Sequence, residues 1–153
     1  MKTLFSSTIA KPLGLLFLIL LFSVNMNSQE QSVAINILDG NLEWGNCPDF
    51  MPAGCNVSIL HGDPAQGNTD AIFKIQPNTE IPEHWHNSAE RMILIEGELE
   101  VTYEGEKTKT LKKGYYAYGP SKKPHTATCN DSGPCYLFVA FVKPVDAFPG
   151  KSD

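Results

Sequence analysis

The stretch Ile81-Pro82-Glu83-His84-Trp85-His86-Asn87-Ser88-Ala89-Glu90-Arg91-Met92-Ile93-Leu94-Ile95-Glu96-Gly97 decides how this chain is read. Two histidines stand two apart, and a carboxylate follows four residues beyond the second. In a strand, residues i and i+2 project from one face, so His84 and His86 can bring two imidazoles to one centre while Trp85 points away. A short turn through Asn87-Ser88-Ala89 can then bring Glu90 in from the next strand. With Glu90 inward, the same parity turns Met92 and Leu94 inward and Arg91, Ile93 and Ile95 to the opposite face. Further on, Gly114-Tyr115-Tyr116-Ala117-Tyr118-Gly119-Pro120-Ser121-Lys122-Lys123-Pro124-His125 ends on another histidine that opens a strand. Three of the 4 histidines of the chain therefore fall in these two segments.

Outward from them the chain is cut by turns at short intervals. Strand-sized runs rich in β-branched and aromatic residues occupy 33–38, 56–60, 71–75, 91–95, 99–103, 108–111, 115–118, 125–129 and 136–142. Beyond the N-terminal stretch no segment carries a helical stripe, so the chain reads as all-β, closed or sandwiched. Two hairpins are expected, one through Glu96-Gly97-Glu98 and one through Glu104-Gly105-Glu106. No internal repeat or linker interrupts the pattern.

The two histidine segments resemble the cupin superfamily. Its first motif runs Gly, five residues, His-x-His, three or four residues, Glu, six residues, Gly; here His84, His86, Glu90 and Gly97 keep that spacing, and Asn78 stands where the leading Gly would be. Asn tolerates left-handed backbone, so this departure is mild. The second motif runs Gly, five residues, Pro-x-Gly, two residues, His, three residues, Asn. Gly114, Pro120 and His125 keep it, while Lys122 replaces the Gly and Cys129 the Asn. The resemblance has its core at 78–129 and implies a single-domain jelly-roll β-barrel over 29–153. It also implies one metal ion held by His84, His86, Glu90 and His125. That ligand set suits Fe, Mn, Ni, Cu, Co or Zn better than Ca or Mg, which prefer all-oxygen shells. Four protein ligands around an octahedral ion leave two positions for water, substrate or dioxygen.

Met92, Leu94, Tyr103, Tyr118 and Phe138 are the candidate walls of a substrate pocket, and Phe50 with Met51 the candidate cover of its mouth. No general base stands out; Tyr118 and His61 are the two residues to consider, although His61 sits in a turn-like Leu60-His61-Gly62-Asp63-Pro64. The resemblance implies an enzyme on a small organic molecule, by oxygen-dependent cleavage or by isomerisation of a sugar acid or carbonyl compound. The alternative is a non-catalytic metal- or small-ligand-binding or sensing module. Cupins pair through their outer sheets, so the resemblance also implies a homodimer, with which an outward 93–95 is compatible.

At the N-terminus, Lys2 and Lys11 precede an apolar run over 13–24 that ends in polar residues. A membrane-spanning helix needs about 20 apolar residues. This run falls short, so 1–28 reads as a secretory signal peptide with cleavage after Ser28, and no stable membrane anchor is expected. All 4 cysteines lie beyond it, an even number suited to an oxidising, exported setting. Of the three pairings, Cys47–Cys55 with Cys129–Cys135 is preferred because each pair brackets turn residues. With 42% hydrophobic and 19% charged residues the chain is globular rather than disordered. A net charge of −5 with only the basic doublets Lys112-Lys113 and Lys122-Lys123 excludes a nucleic-acid face.

Overall fold

The structure, a computed structural model, describes residues 30–152; the N-terminal apolar run and its cleavage junction lie outside them. From residue 34 onward the described chain forms eleven strands: β1 (Gly45–Asn46), β2 (Cys55–Asp63), β3 (Gly67–Ile75), β4 (Thr79–Trp85), β5 (Glu90–Glu96), β6 (Glu98–Tyr103), β7 (Lys109–Lys112), β8 (Tyr116–Gly119), β9 (His125–Cys129), β10 (Cys135–Phe141) and β11 (Phe148–Pro149). There is no helix among the described residues. The strands make two antiparallel sheets, ordered β1-β2-β3-β10-β5-β8 and β11-β4-β9-β6-β7.

Alternation decides what lies between the sheets. On the six-stranded sheet, β10 pairs with β3 and β5 at once, giving the inward rows Phe73–Leu137–Leu94, Ala71–Val139–Met92 and Thr69–Phe141–Glu90. Leu94, Val139 and Phe141 are almost fully buried, and from the five-stranded sheet Ile81, Leu99, Val101, Leu111 and Cys129 join the same core. Burial of each such side chain contributes about 1.5–3 kcal/mol relative to exposure. The outward row across the six-stranded sheet is Ser58–Ile72–Phe138–Ile93–Tyr116, whose far end, Ile93 and Tyr116, is exposed.

Two disulfides reinforce the sheets, and both join the cysteines that bracket turn residues. Cys47–Cys55 ties the loop before β2 to the start of that strand, and Cys129–Cys135 joins the end of β9 in one sheet to the start of β10 in the other.

Three expectations change. No strand forms over 33–38: the Asn36 side chain accepts the Leu38 amide at 3.2 Å, and the Asp39 amide bonds the Asn36 carbonyl at 3.1 Å, so the chain turns instead. Gly97 does not close a hairpin. A one-residue connection cannot close an antiparallel ladder, and Gly97, at φ 86°, carries the chain from β5 in one sheet to β6 in the other. The second hairpin, β6 to β7 through Gly105, forms as read. Finally, β4 begins five residues before the His84–His86 stretch read as a strand; residue preferences hide its first half, because Pro82 interrupts it. Between Ile81 and His84 the strand carries one residue more than its partner β9, a bulge that accommodates the proline.

Asn78 and Lys122, which stand where the resembled motifs have Gly, adopt left-handed backbone at φ 56° and 61°. A Cβ at Gly97 would meet the Cys135 Cα and the Pro134 carbonyl at 2.9 Å each. Gly97→Ala is therefore expected to lower stability by at least about 1–2 kcal/mol, the cost of left-handed backbone alone. Lys122→Gly should shift it by less than about 1 kcal/mol, since relieved strain offsets the entropy of a freer unfolded chain. Urea unfolding of both variants checks this; a Gly97→Ala variant as stable as the parent would contradict it.

Candidate metal centre

The β4 bulge places the first histidine. Ile81 faces the core, and regular alternation would put His84, three residues on, on the opposite face; the extra residue restores it to the inward side. His84 then pairs directly with His125, the first residue of β9, and His125 pairs in turn with Tyr103 at the end of β6. His86 follows two residues after His84, just beyond β4. Glu90 arrives from the other sheet as the first residue of β5, level with Gly119 and Phe141. All four of His84, His86, Glu90 and His125 are buried.

Each imidazole is fixed by its Nδ1–H. His84 donates to the Pro82 carbonyl at 2.8 Å, His125 to the Lys123 carbonyl at 3.0 Å, and His86 to the Asp146 carbonyl. A carbonyl can only accept, so each ring carries its proton on Nδ1 and leaves the Nε2 lone pair free. One ligand atom from each of the three rings lies within 4.8 Å of the others. Glu90 completes the group, with Oε1 at 3.4 Å from His86 Nε2 and Oε2 at 3.7 Å from His125 Nε2. The His86 Nε2 is buried and has no hydrogen-bond partner. An orphaned inward lone pair beside two more imidazoles and a carboxylate fits a divalent transition ion.

The electrostatics keep the donors ready. Burial, chiefly, and the neighbouring His125 and His86 together push the His84 pKa down to about 3 against the pull of the Pro82 carbonyl. Burial also lowers that of His125, opposed by Glu90 and the Lys123 carbonyl. Both rings are neutral near pH 7, as metal ligands must be. Tyr103, 4% exposed, lies tilted beside His125 with ring centroids 4.8 Å apart, and its buried hydroxyl has no partner. Burial raises its pKa, as do the carboxylates of Glu90 and Glu106, so it is a phenol donor. Gly119 makes room for this pair: a Cβ there would collide with the Tyr103 hydroxyl and stand 2.9 Å from Glu90 Oε2.

The turn carrying His86 is clamped by residues that the sequence does not single out. Asn87 donates its backbone N–H and its side-chain amide to the Asp146 carboxylate at 2.9 and 2.8 Å. The Ser88 hydroxyl, 1% exposed for the residue, accepts the amides of Val142 and Lys143 at 3.0 and 3.1 Å. Nothing local in the sequence links Asn87 to a carboxylate 59 positions away; only the fold does.

The site opens on a cavity of about 290 Å³ between the sheets. Of the expected wall residues, Met92 and Tyr103 line it, whereas Leu94 is buried on the inward face without bordering the cavity. Tyr118 and Phe138 are corrected: they pair with Arg91 and Ile93 and so lie on the outer face, Tyr118 being 55% exposed. His61 lies in β2 opposite Asp70, exposed and away from the cavity lining. Met51 lines the cavity and the Phe50 ring stands 6.4 Å from that of His84, so the Cys47–Cys55 loop covers this side.

Comparison with known proteins places the fold. The sequence matches the Cupin domain family over residues 71–141. No curated protein sequence matches it. A DMSP lyase from Ruegeria pomeroyi DSS-3 is similar with a TM-score of 0.61 at 18% identity, over 71% of this chain and 60% of that one. A polyketide cyclase from Streptomyces resistomycificus gives 0.63 at 16% identity, over 79% and 88% of the two chains. The oxalate decarboxylase of Lactobacillus farciminis gives 0.58 at 20%, over 71% and 33%. The chain thus spans less than two thirds of the lyase and about a third of the decarboxylase. At these identities the likeness is one of fold.

Two outcomes test the geometry. Below an unfolded pKa of 6.5 the unfolded chain binds protons that folded His84 and His125 refuse, so stability is lost as pH falls from there toward 3. From pH 7 to 5, His84 alone should cost the metal-free protein about 2 kcal/mol, and His84→Leu should flatten the slope of urea stability against pH. Asp146→Ala, which loosens the carbonyl holding His86, should weaken metal binding roughly 10–100-fold by competitive chelator titration. An unchanged affinity would refute the clamp.

Proposed function

The chain belongs to the cupin superfamily, and from that premise we propose that its sheets are the halves of a jelly-roll barrel around a mononuclear metal centre. His84, His86, Glu90 and His125 hold the ion, in an exported enzyme acting on a small organic molecule. One observation carries the reading: three buried imidazoles, each locked by Nδ1–H on a backbone carbonyl, bring their ligand atoms within 4.8 Å of one another at an apolar cavity, with the Nε2 atoms of His86 and His125 beside Glu90. A bound divalent transition ion would supply Lewis acidity, and iron or copper would add redox chemistry with dioxygen. The chain's own part is to keep His84 and His125 neutral and all three imidazoles oriented, to exclude water with the apolar wall, and to offer the Tyr103 phenol as a hydrogen-bond donor to a ligand oxygen. Oxygen-dependent cleavage is the leading reaction, and isomerisation of a sugar acid or carbonyl compound its sibling.

Residues 1–28 are read as the signal peptide, and two disulfides fit an oxidising destination. Homodimer formation is read through the outer face at β8, where Tyr116, Tyr118 and Ile93 are exposed. A binding or sensing module without turnover is the second reading. It is favoured by the position of Tyr118 and His61, the residues considered as bases, outside the cavity lining.

Elemental analysis of protein exported to an oxidising compartment, beside a His84→Ala/His86→Ala double variant, tests the centre. One equivalent of a transition metal is expected in the parent, with loss in the variant. No metal after reconstitution with Fe(II), Mn(II), Ni(II), Cu(II) or Zn(II) would retire the enzyme and leave only a small-ligand-binding module. Metal without turnover or oxygen uptake on a panel of diketones and phenolic acids would favour the module.

A further inference from the structure

The wall of the cavity is chemically one-sided. Val57, Phe73, Val101, Leu137 and Phe141, with Met92 between them, are typical of it, and the side chains of Cys47 and Cys55 that border it are spent in a disulfide. Polar lining is confined to the three histidines, Glu90, Tyr103 and Asp146. Among the described residues no Lys, Arg, Ser, Thr, Asn or Gln borders the cavity. Aromatic rings flank the imidazoles in turn: Phe50 lies 6.4 Å from His84, Phe141 6.0 Å from His86 and Tyr103 4.8 Å from His125, between ring centroids.

We propose that this cavity takes an apolar small molecule that carries at most one negative charge and ends in an oxygen chelator, such as an enolised diketone or a phenol. It rejects small dicarboxylates and polyhydroxylated acids. The proposal rests on the metal-centre reading and narrows it. A sugar acid would bury several hydroxyls where, outside the ligand set, only the Tyr103 hydroxyl is unpartnered and Asp146 is already held by Asn87 and His86, and a buried hydroxyl without a partner carries its full desolvation penalty. A dianion would enter beside two carboxylates, Glu90 and Asp146, with no cationic side chain in the wall to offset it. An alkyl or aromatic body meets the opposite balance, since the wall gains by excluding water from it.

The test holds the chelating head constant and varies the body. Cobalt(II)-loaded protein is titrated with acetohydroxamate, benzohydroxamate and 4-carboxybenzohydroxamate, with affinity read from the cobalt absorption bands. Benzohydroxamate is expected to bind roughly tenfold or more tightly than acetohydroxamate, and the added carboxylate to cancel that gain. In Val57→Lys, a cation on the wall should reverse the preference between the two aromatic probes, with cobalt loading reporting that the site is built. Three equal affinities on cobalt-loaded protein overturn the proposal and leave the metal centre standing. Failure to take up cobalt at all overturns both.

Discussion

Antiparallel pairing of β4 with β9 sets His84 directly beside His125, and the rest of the site is arranged around that contact. The pleat allows only two faces, and the core needs Ile81 on the same face as His84 three residues later. One extra residue at Pro82 and Glu83 reconciles the two demands. The same bulge turns the Pro82 carbonyl to the ring of His84, so the irregularity that restores parity also selects the tautomer. His86 follows by simple alternation, and Glu90 only has to cross from one sheet to the other.

Burying four ionisable side chains at one point is costly unless each polar atom is answered. Backbone carbonyls answer the three Nδ1 protons, while the three rings converge and the Nε2 atoms of His86 and His125 stand beside Glu90. Burial lowers the basicity of His84 and His125, which keeps the cluster from repelling itself. The Asp146 clamp and the Ser88 hydroxyl fix a turn that has no ladder partner of its own, tying it to the chain that follows β10. Gly119 contributes by absence, leaving the volume that the Tyr103 hydroxyl and Glu90 occupy.

Much of this was legible where alternation is clean. Glu90, Met92 and Leu94 against Arg91, Ile93 and Ile95 could be sorted by parity alone, and the spacing of His84, His86, Glu90 and His125 marked residues that the fold brings together. The left-handed backbone of Asn78 matches the tolerance of that residue type. In β10 the pattern Cys-Tyr-Leu-Phe-Val-Ala-Phe is apolar on both parities, so Phe138 could not be told from Leu137 or Val139 without its partners. Tyr118 is misread for the reverse reason: a short edge strand, β8, takes its facing from Arg91 across the ladder rather than from its own composition. A proline hid the first half of β4, and a glycine with acidic neighbours looked like a hairpin where the chain changes sheets. The residues that clamp His86 have no sequence signal, because hydrogen bonds from Asn87 to Asp146 exist only once distant segments meet.

The disulfide between Cys129 and Cys135 spans a sequence separation of only 6, yet it joins strands of opposite sheets. Most pairings around it are remote in sequence: β10 meets β3 and β5, and β4 meets β9 across the four strands β5 to β8 that lie between them in the chain. Such long-range ladders are slow to assemble, because loop-closure entropy must be met before contacts reward it. A short covalent loop closes at little entropic cost and can do so while the rest of the chain is unfolded. Oxidation at this one corner therefore pre-aligns the strand that begins with His125 and the strand that seams the larger sheet. A reduced chain has to bring the same two strand ends together by packing alone.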